Sequence, residues 1–329
     1  MSILAKPRID QRCVETMNSP IRFLMKKNLG DSIFKIAPER KKEFGTTLND
    51  FELIYTDERQ WKFCADPQAR KILVSRGAVE LIWCASLAHV LFYELRIQGK
   101  RLDRPIEIDP HSDPRLDKAL KLLLWALRCQ GDKDSPDDWP AGLPRPLETP
   151  VPASDEDVAD ELCLVTCAFL LHHELAHIRN HHVGFTKDQL SDPKTAALSL
   201  SQEKDADITA AEWVLDGVEK SDHKFVKRML GIVQANLVTT ALGLYKIKSL
   251  GGETHPFSYD RLASLLTRFI GNANHDVKAY AFAVLALHFQ NSGRHMKKGK
   301  FLDFAEALEA LCDQIANEIL ADQIVPRHD

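Results

Sequence analysis

His172-His173-Glu174-Leu175-Ala176-His177-Ile178 is the stretch on which the reading of this 329-residue chain turns. It contains His-Glu-x-x-His. The residues leading into it, Leu162, Val165, Phe169 and Leu170, recur at helical spacing. Residues four apart share one face of a helix, about 6 Å apart along its axis. Two imidazoles placed in this way converge on one metal ion, and the glutamate between them reaches a water held there. Leu175, Ala176 and Ile178 are uncharged, as a buried metal-binding helix requires. The plainer alternative is an amphipathic helix whose polar stripe happens to hold these residues. Against it stands the cost of placing two histidines and a glutamate on an apolar helix without a partner.

A zinc site needs a third protein ligand. His181 continues the four-residue spacing of His173 and His177. On a straight helix, however, it lies about 12 Å along the axis from His173. No glycine in Ile178-Arg179-Asn180 turns the chain back, so His181 and His182 read as exposed helix-end residues. Glu203 is the better candidate. Glu203 and Asp207 are four apart and share a face, with small residues at Ala206, Ala210 and Ala211. Glu203 can give a carboxylate oxygen to the metal. Asp207 can accept a hydrogen bond from the nitrogen of a ligating imidazole that faces away from the metal. The alternative here is a solvated acidic helix start capped by Ser201.

Outward from these motifs, the chain reads as α+β and mostly α-helical. Residues 1–130 mix strands and helices. Phe51–Thr56 and Trp61–Cys64 flank a charged turn and read as a hairpin, with Lys71–Ser75 as a further short strand. Helices are predicted from Ala78 to Glu94 and from Leu116 to Leu127. Residues 131–153 hold six prolines and form an irregular loop, either a lid or a spacer. Ser154 followed by Asp155-Glu156-Asp157 starts the motif helix, which should run to about His182 and stop at Gly184. Residues 154–271 form the metal-binding core and residues 272–329 a helical end. Further helices are predicted near 201–216, 221–248, 257–270, 275–290 and 301–321.

Composition narrows the function classes. A net charge of −4 gives no footprint for a nucleic-acid partner. Seven scattered cysteines without Cys-x-x-Cys spacing argue against a disulfide framework and a cysteine-based metal site, and fit a reducing, cytoplasmic setting. No secretory signal is apparent, and no run reaches the roughly 20 uninterrupted apolar residues of a membrane span. Cys163, Cys167, His89, Trp83, Trp125 and Trp213 read as core residues.

His173-Glu174-x-x-His177 followed by Glu203-x-x-Ala206-Asp207 resembles the gluzincin metallopeptidases. Thr254-His255-Pro256-Phe257-Ser258-Tyr259-Asp260-Arg261 is similar to a segment of the Ste24/HtpX-type peptidases, without their membrane helices. The order of the motifs over residues 60–270 resembles the phage-exclusion Lit-type peptidases. The resemblance implies a zincin-like core and a zinc-dependent endopeptidase. In it His173, His177 and Glu203 hold zinc and Glu174 is the general base. Asp207 supports a ligand, His255 helps stabilise an oxyanion, and Arg261 braces that segment. The plainer reading of His255 is a turn residue ahead of Pro256. The Lit-type likeness further implies a phage-defence protease acting on a protein such as a translation factor, kept latent until a phage-derived or other protein activator arrives. The rival readings are a gated or inactive zinc regulatory protein and a metal-free helical interaction module.

Overall fold

Alternation builds the sheet. In β2 (Glu52–Thr56) Leu53 and Tyr55 are buried between half-exposed neighbours, and in β4 (Lys71–Ser75) Ile72 and Val74 are buried. This two-residue period belongs to strands with one face on a core. The computed structural model describes residues 8–10, 12–25, 51–96, 113–131, 138–149, 151–186, 188–246, 258–271, 275–296 and 300–324. With β1 (Arg8–Asp10) and β3 (Phe63–Asp66), these strands form a four-stranded sheet of order β1-β2-β4-β3. β1, β2 and β4 are parallel, and β3 runs antiparallel to β4 along one edge.

The expected hairpin of 51–56 with 61–64 does not form; β2 pairs with β4 instead, Glu52 opposite Lys71 and Thr56 opposite Ser75. The hairpin joins β3 to β4, with Phe63 opposite Val74 and Asp66 opposite Lys71. Turn chemistry explains the choice. Pro67 to Arg70 is a short loop in which Ala69 N–H donates to Asp66 Oδ1 at 2.9 Å and Arg70 takes a φ of 53°. A short loop of this kind closes an antiparallel pair. The longer 57–62 segment instead crosses the start of the next helix, where a Cβ on Gly77 would lie 1.7 Å from the Arg59 carbonyl oxygen.

Two short helices, α1 (Arg12–Thr16) and α2 (Arg22–Leu24), follow β1. After the sheet come α3 (Arg76–Arg96), α4 (Pro114–Cys129), α5 (Asp155–Arg179), α6 (Pro193–Leu215) and α7 (His223–Lys246). α8 (Ser258–Phe269), α9 (Asp276–Asn291) and α10 (Phe304–Ile324) complete the described helices. One apolar cluster runs from Val14 to Ile315. The protein is thus α+β and mostly helical.

α5 is the central helix, packed by α3, α6, α7 and the edge strand β3. It is apolar on nearly every face because every face meets protein. α7 approaches closely at Gly231, where a Cβ would lie 2.3 Å from Val165 Cγ1 on α5. By length and composition alone α5 and the Arg76–Leu95 part of α3 could each cross a membrane; here both are mostly buried in the fold. Ser154 caps α5 as the sequence suggests, accepting from Asp157 N–H at 3.2 Å.

The helix boundaries beside the site differ from expectation at two places. α6 begins at Pro193 rather than near 201. Asp192 caps it, accepting from Thr195 N–H at 2.9 Å, and proline suits the first helical position. α5 ends at Arg179 rather than at His182, and its end is described with the site below. Of the proline-rich loop, Trp139 packs against Trp83 and Trp125, with ring centroids 5.7 and 5.2 Å away. Its indole N–H donates to the Pro144 carbonyl at 2.9 Å.

His89 on α3 is a hydrogen-bonded core residue, as read. Its Nδ1 lies 2.9 Å from Gln234 Oε1 on α7 and its Nε2 2.7 Å from His288 Nε2 on α9. Burial holds both imidazoles neutral, lowering His89 to about 4 and His288 well below its usual value. An unfolded histidine titrates near 6.5, so below that pH the unfolded chain binds protons that the fold does not. Stability is therefore full above about pH 6.5 and falls as pH drops toward 4. The loss from pH 7 to 5 is about 2 kcal/mol for His89 alone. Urea unfolding at the two pH values should show this slope in the native chain and a flatter one in His89→Leu/His288→Leu. Equal slopes would refute the account.

Candidate active site

The site is made where three helices meet. α5 supplies His173, Glu174 and His177, α6 supplies Glu203 and Asp207, and α8 supplies Arg261. His173, Glu174, Glu203 and Asp207 are all buried, between 3 and 8% exposed. That removes the reading of Glu203 as a solvated helix start: α6 begins ten residues earlier, and Ser201 is inside it.

Three ligand-type atoms converge. His173 Nε2 and His177 Nε2 lie 3.2 Å apart, and the Glu203 carboxylate is 3.5 Å from the first and 3.4 Å from the second. Bonds of roughly 2.0–2.2 Å to a tetrahedral ion place neighbouring ligand atoms roughly 3.3–3.6 Å apart. The observed spacings are close to those of such a set, with Oε2 of Glu203 facing His173 and Oε1 facing His177. Among the described residues this is the one cluster of three or more such side chains that could hold a metal ion.

The surrounding charges tell the same story. Arg261 grips Asp207 with both arms, Nε on Oδ2 at 2.6 Å and NH2 on Oδ1 at 2.5 Å, and its NH1 lies 3.8 Å from Glu203. Asp207 Oδ1 is in turn 3.0 Å from His173 Nδ1. Glu174, Glu203 and Asp207 face one guanidinium, and with both imidazoles neutral, as metal ligands must be, the group is negative in excess. The negative excess of such a buried group suits a cation.

The shifts follow from these neighbours. Burial opposes a charge on His173, but Asp207 and Glu203 outweigh it and raise the imidazole to about 10. Burial, helped by His173, lowers His177 to about 3. Burial also raises the Glu174 carboxyl to about 7, with His173 and the Ala65 N–H pulling the other way. Asp207 stays below the usual carboxylate range because Arg261 and His173 overcome its burial.

Two participants escape a sequence reading. Ala65, on the edge strand β3, donates its N–H to Glu174 Oε2 at 2.6 Å. The pair is 109 residues apart, and no local signal announces it. The other is His182, read as an exposed helix-end residue and found partly buried against His177. α5 ends in a left-handed turn with His181 at φ 55°. His182 N–H donates to the His177 carbonyl at 3.0 Å and His181 N–H to the Ile178 carbonyl at 3.4 Å. This double bond pattern usually needs glycine at the left-handed position. It swings the His182 ring back, so that its Nδ1 lies 3.0 Å from His177 Nδ1. His181 itself is exposed and takes no part in the cluster. His255, with Thr254, Pro256 and Phe257, lies outside the described residues.

Residues 72–284 match the Peptidase U49 family. The chain belongs to that family. The matched region carries His173, Glu174, His177, Glu203, Asp207 and Arg261 together. The U49 chain is also 28% identical over 263 residues to the "Cell death peptidase" of Escherichia coli (strain K12), covering 78% of this chain and 84% of the relative. No solved structure matches it. Family and relative both mark the chain as a peptidase.

The Arg261–Asp207 fork should be structural as well as local. Arg261→Met leaves Asp207 and Glu203 buried without a guanidinium, at a cost of about 3–5 kcal/mol. Arg261→Lys should recover only part of this, because an ammonium cannot copy the two-armed contact. Urea unfolding of the three proteins after chelator treatment checks both statements, and a loss in Arg261→Met below about 1 kcal/mol would contradict them.

Proposed function

We propose that this U49 peptidase is a zinc-dependent endopeptidase of gluzincin type. The reading is carried by one observation: two imidazole nitrogens and a carboxylate lie within 4.8 Å of one another, beside a buried glutamate. His173, His177 and Glu203 would hold the ion and leave a fourth position open, the donor set and geometry of a catalytic zinc. Bound there, zinc would lower the pKa of a water and polarise the substrate carbonyl.

The chain's own residues supply the rest. Glu174 takes a proton from the attacking water and returns it to the leaving amine, and its burial beside the three converging side chains places it for that task. Asp207 fixes the orientation of the His173 ring, and Arg261 fixes Asp207. In the resemblance to the Ste24/HtpX type, His255 stands near the carbonyl and helps hold the oxyanion.

The substrate is a protein or peptide that binds extended along the sheet. The sequence offers the 71–75 strand or a 51–64 hairpin as that edge; the edge beside Glu174 is β3, while 71–75 is interior to the sheet. The relative's name, cell death peptidase, supports a protease whose activity harms the cell that makes it. The Lit-type likeness extends this to a cytoplasmic phage-defence protease that cuts a host protein such as a translation factor on arrival of a phage-derived or other protein activator.

Metal analysis and turnover test the reading together. About one zinc per chain is expected in the wild type, with loss in Glu203→Ala. Glu174→Gln should keep the zinc and lose about 10²–10⁴-fold in turnover, the usual size of a general-base contribution. Full activity in Glu174→Gln, or a wild type that takes up no zinc on reloading, would overturn the mechanism.

A further inference from the structure

We propose that His182 and Asp205 position the metal-ligating imidazole of His177, as a two-member chain matching the single carboxylate, Asp207, behind His173. The inference rests on the zinc reading above and adds to it how the second ligand is held.

The geometry is directional. His177 turns Nε2 toward His173 and Glu203, so this nitrogen must offer its lone pair to a metal, and the proton must sit on Nδ1. Nδ1 is the atom that meets His182 Nδ1 at 3.0 Å. His182 can accept there only if its own proton is on Nε2. That nitrogen faces Asp205 Oδ2 at 3.2 Å. Each ring has one donor and one acceptor, and each is used once. The two rings stand nearly at right angles, at 77°, with centroids 4.9 Å apart, so the contact is edge-on through the nitrogens rather than stacked.

Asp205 is itself held. Asn180, the residue that closes α5, donates Nδ2 to the same Oδ2 at 2.7 Å. Thus Asn180 and His182, on either side of the left-handed His181, both reach one carboxylate on α6, two residues from the ligand Glu203. The arrangement ties the end of the ligand helix to the helix that brings the third ligand. His182 is not a fourth ligand. It approaches the side of the His177 ring opposite to the converging atoms.

A partner behind a ligating histidine fixes its tautomer and raises its basicity, and its removal weakens metal binding roughly 10–100-fold. Zinc affinity by chelator competition, and the visible spectrum of the cobalt-substituted protein, should be measured for His182→Ala, His182→Asn, Asp205→Ala and Glu203→Ala. His182→Ala should weaken zinc by roughly 10–100-fold and shift the cobalt bands. His182→Asn keeps an acceptor near the place of Nδ1 and should restore most of the affinity. Asp205 is half exposed, so Asp205→Ala leaves the core intact and should weaken zinc in the same direction. Wild-type affinity and spectrum in both His182→Ala and Asp205→Ala, with zinc lost in Glu203→Ala, would overturn this proposal and leave the zinc reading standing. Failure of the wild type itself to bind zinc would overturn both.

Discussion

The half of α5 that bears the site is packed by protein and carries His173, Glu174 and His177 inward, and its neighbours must answer for them. Ionisable groups on α5 without partners would cost several kcal/mol each. The answer comes from two other helices in one line of contact. Arg261 of α8 bonds both oxygens of Asp207 on α6, and Asp207 touches His173 on α5. The two-armed bond between guanidinium and carboxylate is the strongest kind of contact available to such groups. It fixes how α6 lies against α5, and that position puts Glu203, four residues before Asp207, between the two imidazoles. The fold and the site therefore depend on the same ion pair. Small residues on α6, Ala206, Ala210 and Ala211, are fully buried and let the two helices come this close.

Whatever follows from helical period was legible in the sequence. His173 and His177, and then Glu203 and Asp207, each share a face because they are four apart, and the structure brings the two pairs together. The burial of His89 and of the cysteines on α5 was legible from their apolar neighbours. The sheet was less so. β2 and β4 were placed, β3 was shifted toward its start, and the short β1 at Arg8–Asp10 was missed; the pairing of β2 with β4 is decided by which connecting segment can turn tightly, and Asp66-Pro67 carried that signal better than the charged 57–62 stretch. The start of α6 was marked by Asp192-Pro193, a cap followed by a proline in the first turn, with the proline ten residues before Glu203 of the acidic pair that drew attention.

His182 shows the limit of period as a guide. On a continuous helix a residue five positions after His177 points about 140° away from it. The helix does not continue. His181 enters the left-handed region without being glycine, and the turn that follows returns the next side chain to His177. Nothing in the residue types announces such a turn. It is held by bonds made elsewhere, from Asn180 and His182 to Asp205. Ala65 is a second case of the same kind, since its contribution is a backbone N–H, and a sequence does not show where an N–H points.

That N–H joins the sheet to the chemistry. Burial alone favours the neutral form of Glu174, and the bond from Ala65 favours the charged form, so the carboxyl is held between the two states. Ala65 can give its N–H to Glu174 because β3 lies at the edge of the sheet, with β4 on one side and no strand partner on the other among the described residues. An edge strand presents its remaining N–H and C=O groups outward in a row. A peptide extended along that row would, on the proposed reading, meet Glu174 at the point where the strand itself touches it. The strand whose N–H favours the charged form of Glu174 is thus also the one whose free edge lies beside that carboxyl.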